Sequence, residues 1–276
     1  GRKMQQTGKN MSMKLTAPLA ALGAMSFNVF RDFELEMAKV KAVSGATADE
    51  FKLLSDNAKE LGRSTIFSAR EVAGLQLEFA KLGFTAKQIT GVTEATLNLA
   101  QASGSDLARS AEVAGATLRG FNLDVSETGR VTDVMAKSFS SSALDMEAFA
   151  ESMKMVAPIA SSAGISLEKT SAMLAVLANN GIKGSMAGTM LRRIISEMET
   201  SGKSTAEAIK DLAEKGLDLG GAMDEVGQRA QSGLLKLVEN TDLLAELNTE
   251  FENASGSAKE MADVMDMTAA GASKAL

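Results

Sequence analysis

Along much of the chain, apolar residues recur at offsets that gather them on one face of a 3.6-residue helix. Phe51, Leu54, Ala58 and Leu61 form one such stripe, and Val72, Leu75, Phe79 and Leu82 form the next. Ile89, Val92, Thr96 and Leu99 repeat the spacing with a threonine on the face. No stretch alternates with period two for long, so no strand is predicted. Helices are expected at Thr47–Leu61, Ser68–Leu82, from Ile89 onward, and at Asp106–Arg119, Asp124–Phe139, Asp145–Ser162, Ser166–Asn180 and Ser185–Thr200. Pro158 should kink or end the helix that holds it, because proline lacks the N–H and clashes with the preceding turn.

Polar punctuation between the stripes agrees with this division. Ser or Thr followed three residues later by Glu or Gln, the pattern of a capping box, occurs at Thr47/Glu50, Ser68/Glu71, Thr85/Gln88, Ser204/Glu207 and Ser257/Glu260. Glycines that can adopt the left-handed conformation of a helix stop follow at Gly62, Gly83, Gly104, Gly120, Gly164, Gly181 and Gly202. Two starts together give a period of about 38 residues, through Thr47, Thr85, Asp124, Ser166 and Ser204. The tetrapeptide Glu-Val-Ala-Gly recurs at Glu71–Gly74 and Glu112–Gly115. A helical hairpin of this length cannot bury its apolar face alone and must stack on neighbours.

Two regions differ from the repeats. Leu15, Leu19, Leu22, Ser26, Val29, Phe33, Glu36, Val40 and Val43 follow a 4-3 spacing, the seam of a coiled coil with two polar interruptions. That stripe predicts oligomerisation through Leu15, Leu19, Leu22, Val29, Phe33, Val40 and Val43; the competing reading is one long helix lying on its own chain. After Ser204 the pattern loosens into a short helix to Lys215, a joint at Gly220-Gly221, and helices near Gly233–Asn253 and Ser257–Leu276. The expected organisation is therefore all-α in three parts. A basic arm and coiled-coil-like helix occupies 1–45, stacked helical hairpins occupy 46–203, and an acidic helical segment occupies 204–276.

Composition narrows the chemistry. Hydrophobic residues make up 45% of the 276 positions but aromatics only 4%, and just two prolines interrupt the chain. The 17 methionines read first as core filler and second as a repackable surface. The chain has no His, Cys, Trp or Tyr, which removes histidine-based catalysis, Ser-His-Asp and Cys-His arrangements, disulfides and the usual zinc sites. Net charge is −6, with only basic residues before Asp32 and an acidic excess after Ser204. Basic residues without interleaved aromatics make a poor nucleic-acid signature, so no specific nucleic-acid site is expected. The apolar run from Ala17 to Phe30 is too short to span a bilayer. Opening on Gly1 rather than Met, the sequence is expected to be a piece of a longer chain.

Few motifs carry chemistry. Gly202-Lys203-Ser204-Thr205 lacks the earlier glycine of a phosphate loop and reads as a stop followed by a cap. Ser166-Leu167-Glu168-Lys169 lacks the companion motifs of penicillin-recognising enzymes, so Ser166 reads as an N-cap. Gly184 and Gly188, one turn apart, predict close helix packing. No catalytic, cofactor or metal residues are assigned.

The order of the segments goes further. "KLTAPLAALG" leads into "FELEMAKVKAVSGATADEFKLLSDNAKELGRSTIFSAREVA", then "FAKLGFTAKQI", "LNLAQASGSDLARSAEVAGATLRGFNLD" and a long run ending in "GIKGSMAGTMLRR". Over roughly Lys14 to Arg193 this strongly resembles phage tail tape-measure proteins, with a weaker echo at Ala254–Gly271. The resemblance implies a non-enzymatic virion structural protein that templates tail-tube assembly, sets tail length and leaves during genome ejection. It implies residence in the tail lumen or tip, and in host cytoplasm during assembly. Implied partners are tail tube and tip or baseplate proteins and further copies of the chain, a trimer being one option, with transient membrane contact. Two rivals stand beside it: a membrane-active helical protein of genome delivery, and a wall-degrading virion enzyme. Charged residues in every amphipathic helix count against a spanning segment.

Overall fold

The computed structural model describes the backbone over residues 17–200 and 204–274, and side chains over 29–200 and 204–267. Among these residues every regular element is helical. The chain divides into two compact units, Gly1–Thr90 and Gly91–Leu276.

The first unit contains α1 (Ala17–Ser44), α2 (Ala48–Ser64) and α3 (Ala69–Lys81), with the start of α4 (Ala86–Ser103). α1 and α2 both pack on α3. Phe33, Met37 and Val40 of α1, Leu54 and Ala58 of α2, and Val72, Leu75 and Phe79 of α3 form the core. Buried Gln76 ties the two shorter helices together, its amide donating to the Leu54 carbonyl (3.1 Å) and to Asn57 Oδ1 (3.0 Å). The capping boxes at Thr47/Glu50 and Ser68/Glu71 are both closed.

Gly62 does not stop its helix. α2 continues to Ser64, and a Cβ at Gly62 would lie 2.7 Å from Ala69 Cα, so this glycine lets the start of α3 approach.

The second unit holds the remainder of α4, α5 (Leu107–Gly120), a 3₁₀ turn (Val125–Glu127), α6 (Thr128–Ser141), α7 (Met146–Ser162), α8 (Leu167–Asn179), α9 (Gly184–Thr200), α10 (Thr205–Glu214), α11 (Leu219–Val226), α12 (Gln231–Glu239), α13 (Thr241–Glu252) and α14 (Ser257–Lys274). α5, α7 and α9 lie side by side in one layer, and α6 and α8 in a second. That is the stacking of successive helical hairpins, each helix meeting the helix two places later.

The helices from α10 on do not trail away. α12 and α13 pack on α8, and α14 packs on α6. Covered in this way, α8 buries residues around its whole circumference, from Leu167 to Ala178. Its sequence Ala172–Ala178 is uniformly apolar, as a helix without a solvent face requires.

One connector recurs through both units. The last turn of α3 ends with Gly83 N–H bonded to the Ala80 carbonyl and Phe84 N–H to the Phe79 carbonyl. This is the Schellman arrangement, and its expected apolar contact is present as Phe79 stacked on Phe84 at 5.4 Å. Thr85 then caps the next helix, accepting from Gln88 N–H at 3.4 Å. The same stop, one residue, then cap is built by Gly104-Ser105-Asp106, Asn122-Leu123-Asp124, Gly164-Ile165-Ser166 and Gly216-Leu217-Asp218.

At the second of these, Asn122 takes the left-handed conformation (φ 54°), not Gly120. Gly120 instead admits Ala157 of α7, whose Cβ would lie 2.8 Å from a Cβ placed there. Gly202 lies outside the described residues.

Four further expectations change. Pro158 does not end α7, which runs on to Ser162. Gly220 and Gly221 are helical, because Asp218 caps α11 at Gly221 N–H (2.8 Å) and Ala222 and Val226 anchor the turn in the core. Ser257 is not a cap: it is the first helical residue of α14, and the residues expected as one helix near Gly233–Asn253 split at Asn240.

Candidate functional site

No cluster of carboxylates able to hold a metal ion occurs among the described residues, and no described helix is long and apolar enough to cross a membrane. The candidate contacts are surfaces and seams, built from the helices up.

On α1, Phe33 and Val40 face the core of the first unit at 5% and 0% exposure. Met37, beside the expected position Glu36, is fully buried between them, so the face buried in the chain is shifted by one residue there. Lys59 Nζ sits 5.3 Å above the Phe33 ring, and Asp32 faces Arg70 of α3 at 3.7 Å. One turn before Phe33 the face is open: Val29 is 67% exposed, with Phe30 beside it at 60%. Val43 is about half exposed at the other end. Leu15, and the side chains of Leu19 and Leu22, lie outside the described residues.

Gly188 is where α9 meets α7. A Cβ there would lie 2.8 Å from Ser152 Cα, and closer still to its carbonyl oxygen. Gly184 opens α9 at φ 60°, a conformation unfavourable for other residues. Its carbonyl lies 2.8 Å from Ser152 Oγ, which is also 2.7 Å from the Ala148 carbonyl. Small side chains thus serve the seam from both sides.

Two ion pairs span successive hairpins with the repeat spacing itself. Arg109 donates through its Nε to Glu147 (2.8 Å), and Arg130 donates through both forks to Glu168 (2.7 and 2.9 Å), each pair 38 residues apart. Each arginine also reaches an acid three residues away, Glu112 or Glu127. The two differ in solvation: the Glu147 side chain is 67% exposed and that of Glu168 only 7%. Burial pushes the Glu168 carboxyl up, but the Arg130 guanidinium outweighs it and holds the group below the usual range.

The C-terminal helices are docked by long-range polar contacts. Asp133, in the middle of α6, accepts from the backbone N–H groups of Gly256 (2.8 Å) and Ala258 (3.0 Å) and so caps α14 from another element. Glu250 of α13 accepts from Ser141 Oγ (2.8 Å) and pairs with Lys137 (3.3 Å), and the Ser141 hydroxyl first among these keeps its carboxyl below the ordinary range. Gln101 donates to the Ala262 carbonyl at 2.8 Å. None of these partners is visible as a local motif.

A family of phage-related minor tail proteins matches residues 55–275, from α2 through both layers to α14. The chain belongs to that family. It is 33% identical over 293 aligned residues to the tape measure protein of Pneumococcus phage Dp-1, covering 96% of this chain and 26% of that protein. It is 31% identical over 189 residues to the probable tape measure protein of Escherichia phage P2, covering 68% of this chain and 23% of that one. The chain thus spans about a quarter of the length of these relatives. No solved structure matches it. Membership places the chain among structural components of phage tails and not among enzymes.

Proposed function

We propose that this chain is a folded helical part of a tape-measure protein that templates tail-tube assembly, sets tail length and leaves during genome ejection. The observation that carries the reading is the likeness, over 96% of the chain, to a phage protein named as a tape measure. In this reading the region sits in the tail lumen or tip, is made in host cytoplasm, and binds tube and tip or baseplate proteins. Its stacked hairpins act as an assembly scaffold, not as a length of extended ruler.

Removal of Thr85–Asn122 tests this. A helical ruler shortens by about 1.5 Å per residue deleted. A scaffold loses α4 and α5 and exposes the faces they cover, so few or no tails should form in electron micrographs. Normal numbers of uniformly shorter tails would make the segment part of the ruler.

Self-association belongs to the same reading, through the stripe from Leu15 to Val43. Phe33 and Val40 face the core, whereas exposed Val29 and Phe30 favour an apolar partner for the earlier turns. Asp at both Leu22 and Val29 should convert an oligomer to a monomer with helicity unchanged. Equal sedimentation masses for wild type and double variant would remove the coiled-coil proposal.

A further inference from the structure

A concavity of about 610 Å³ in the second unit lies between α9 and the turn that follows α11. Arg192 and Arg193 line it from α9, together with Thr189 and Ser196, and Gln228 and Arg229 line it from the turn. Arg193 is committed to the fold: it pairs with Glu197 at 2.8 Å, and its Nε reaches the Val226 carbonyl at 3.5 Å. Arg192 and Arg229 have no acidic partner among the described residues, and no acid lines the concavity.

The remaining groups there are donors as well. Gly227 (φ 76°) ends α11, and the only backbone hydrogen bonds around the turn run from Gly227, Ala230 and Gln231. The N–H groups of Gln228 and Arg229 are therefore unused. The following helix, α12, is preceded at its N-cap by Ala230, without the side-chain cap that Ser, Thr or Asp supplies to most helices of this chain. Two guanidinium forks, two amides without a backbone partner and a helix start without a side-chain cap leave donors in excess and no carboxylate in the lining, which favours an anion.

The surroundings select which anion. No aromatic ring lines the concavity for base stacking. Asp224 and Glu225 precede the turn on α11, Glu197 flanks it on α9, and the chain carries a net charge of −6. A duplex, or the broad acidic face of a second copy, meets repulsion at this rim. A narrow segment with a few carboxylates reaches the arginines without it. Fork-to-carboxylate pairing is also the bond this unit already uses between hairpins, at Arg130–Glu168.

We propose that the concavity between α9 and the α11–α12 turn docks an acidic peptide segment of a partner protein, whose carboxylates pair with Arg192 and Arg229. The site gives a role to the end of "GSMAGTMLRR", where Gly188 serves the helix seam, Arg193 holds the turn and Arg192 is left for a ligand. The proposal does not depend on whether the chain acts as a scaffold or a ruler.

Fluorescence anisotropy with labelled hexaglutamate on the 276-residue chain tests it, with hexaglutamine and an oligothymidylate of matching charge as the other probes. Hexaglutamate should bind saturably and hexaglutamine should not. Arg192→Gln with Arg229→Gln should weaken hexaglutamate by about tenfold or more. The Arg→Lys pair, which keeps charge but loses the fork, should fall in between. Arg63→Gln with Arg119→Gln, the same charge change at exposed arginines elsewhere, should leave binding unchanged. Both arginines of the site are exposed, so an unaltered melting temperature is the control for folding. Equal affinity in the site variant, equal weakening in the control variant, or tighter oligothymidylate binding lost with the same two arginines would each overturn the proposal.

Discussion

The stacked hairpins α5–α9 and the helices α10–α14 share one unit but are held by different means. In the hairpins the polar contacts are local or periodic: caps one residue after a Schellman stop, and arginines that find an acid 38 residues on. In the later helices they are remote and particular. Asp133 caps a helix that begins more than a hundred residues later, and Glu250 returns to Ser141 and Lys137. Both regions leave buried polar atoms without hydrogen-bond partners: Ser171 Oγ on α8, and Thr205 Oγ1 and Asn248 Oδ1 on α10 and α13. A repeat can reuse one solution at each step, whereas a helix that returns to cover the stack must be fitted where it lands.

The largest effect is expected at the seam between α7 and α9. Gly188→Leu places a side chain where Ser152 backbone already lies, so the layer must part. A loss of about 1–3 kcal/mol is expected, toward the upper end because backbone yields less than a side-chain tip. It should appear as a drop in global melting temperature, and an unchanged or higher temperature would show that the layers do not meet there.

The two ion pairs sharpen the contrast between buried and exposed versions of one contact. Arg130→Gln leaves the Glu168 carboxylate buried and uncompensated, and should cost about 1–3 kcal/mol; the guanidinium's own 43% exposure keeps this below a fully buried pair. Arg109→Gln should cost at most about 1 kcal/mol, since Glu147 is solvated. The Glu168 carboxyl is depressed in the folded state, so its stabilisation is present above the unfolded carboxyl's pKa and is lost as pH falls through the folded one. The difference in melting temperature between wild type and Glu168→Gln should therefore shrink as pH falls below the ordinary glutamate range. Equal losses for both arginine variants would mean that burial does not distinguish the pairs.

A smaller and more local effect is expected at Asp133. Asp133→Ala removes the cap of α14, worth about 0.5–2 kcal/mol. Hydrogen exchange should speed up in α14 well before it does in α8. Parallel acceleration in both helices would show that the covering helices and the stack unfold as one, and would erase the distinction between them.

Much of this was legible in sequence because it is written within a few residues. A hydroxyl three places before a Glu defines a start, an apolar stripe defines a face, and Gly83, Gly104, Gly164 and Gly181 all take the left-handed conformation expected of stops. Thr96, which breaks an apolar stripe, is still a core residue, because its hydroxyl bonds the Val92 carbonyl within its own helix. The candidate site was less legible. The stripe on α1 divides between a face packed in the core at Phe33 and Val40 and an open one at Val29, and sequence spacing is the same on both sides of that division.

Sequence by itself determined that the chain is helical, where most helices begin and end, the hairpin period and the lack of histidine and cysteine chemistry. These follow from backbone hydrogen bonds closed over three or four residues and from the residue types present. Tertiary structure alone decided that Gly62 and Gly120 admit neighbouring helices instead of ending their own, that Gly220 and Gly221 lie within a helix, that Asp133 caps α14, and that Arg192 and Arg229 meet across one concavity. Each depends on which surfaces come within a few ångströms after the chain has turned back on itself. Apart from Gly62, which meets Ala69 seven places on, and Gly221, capped by Asp218, such contacts join residues tens to more than a hundred positions apart, and a local pattern carries no record of them.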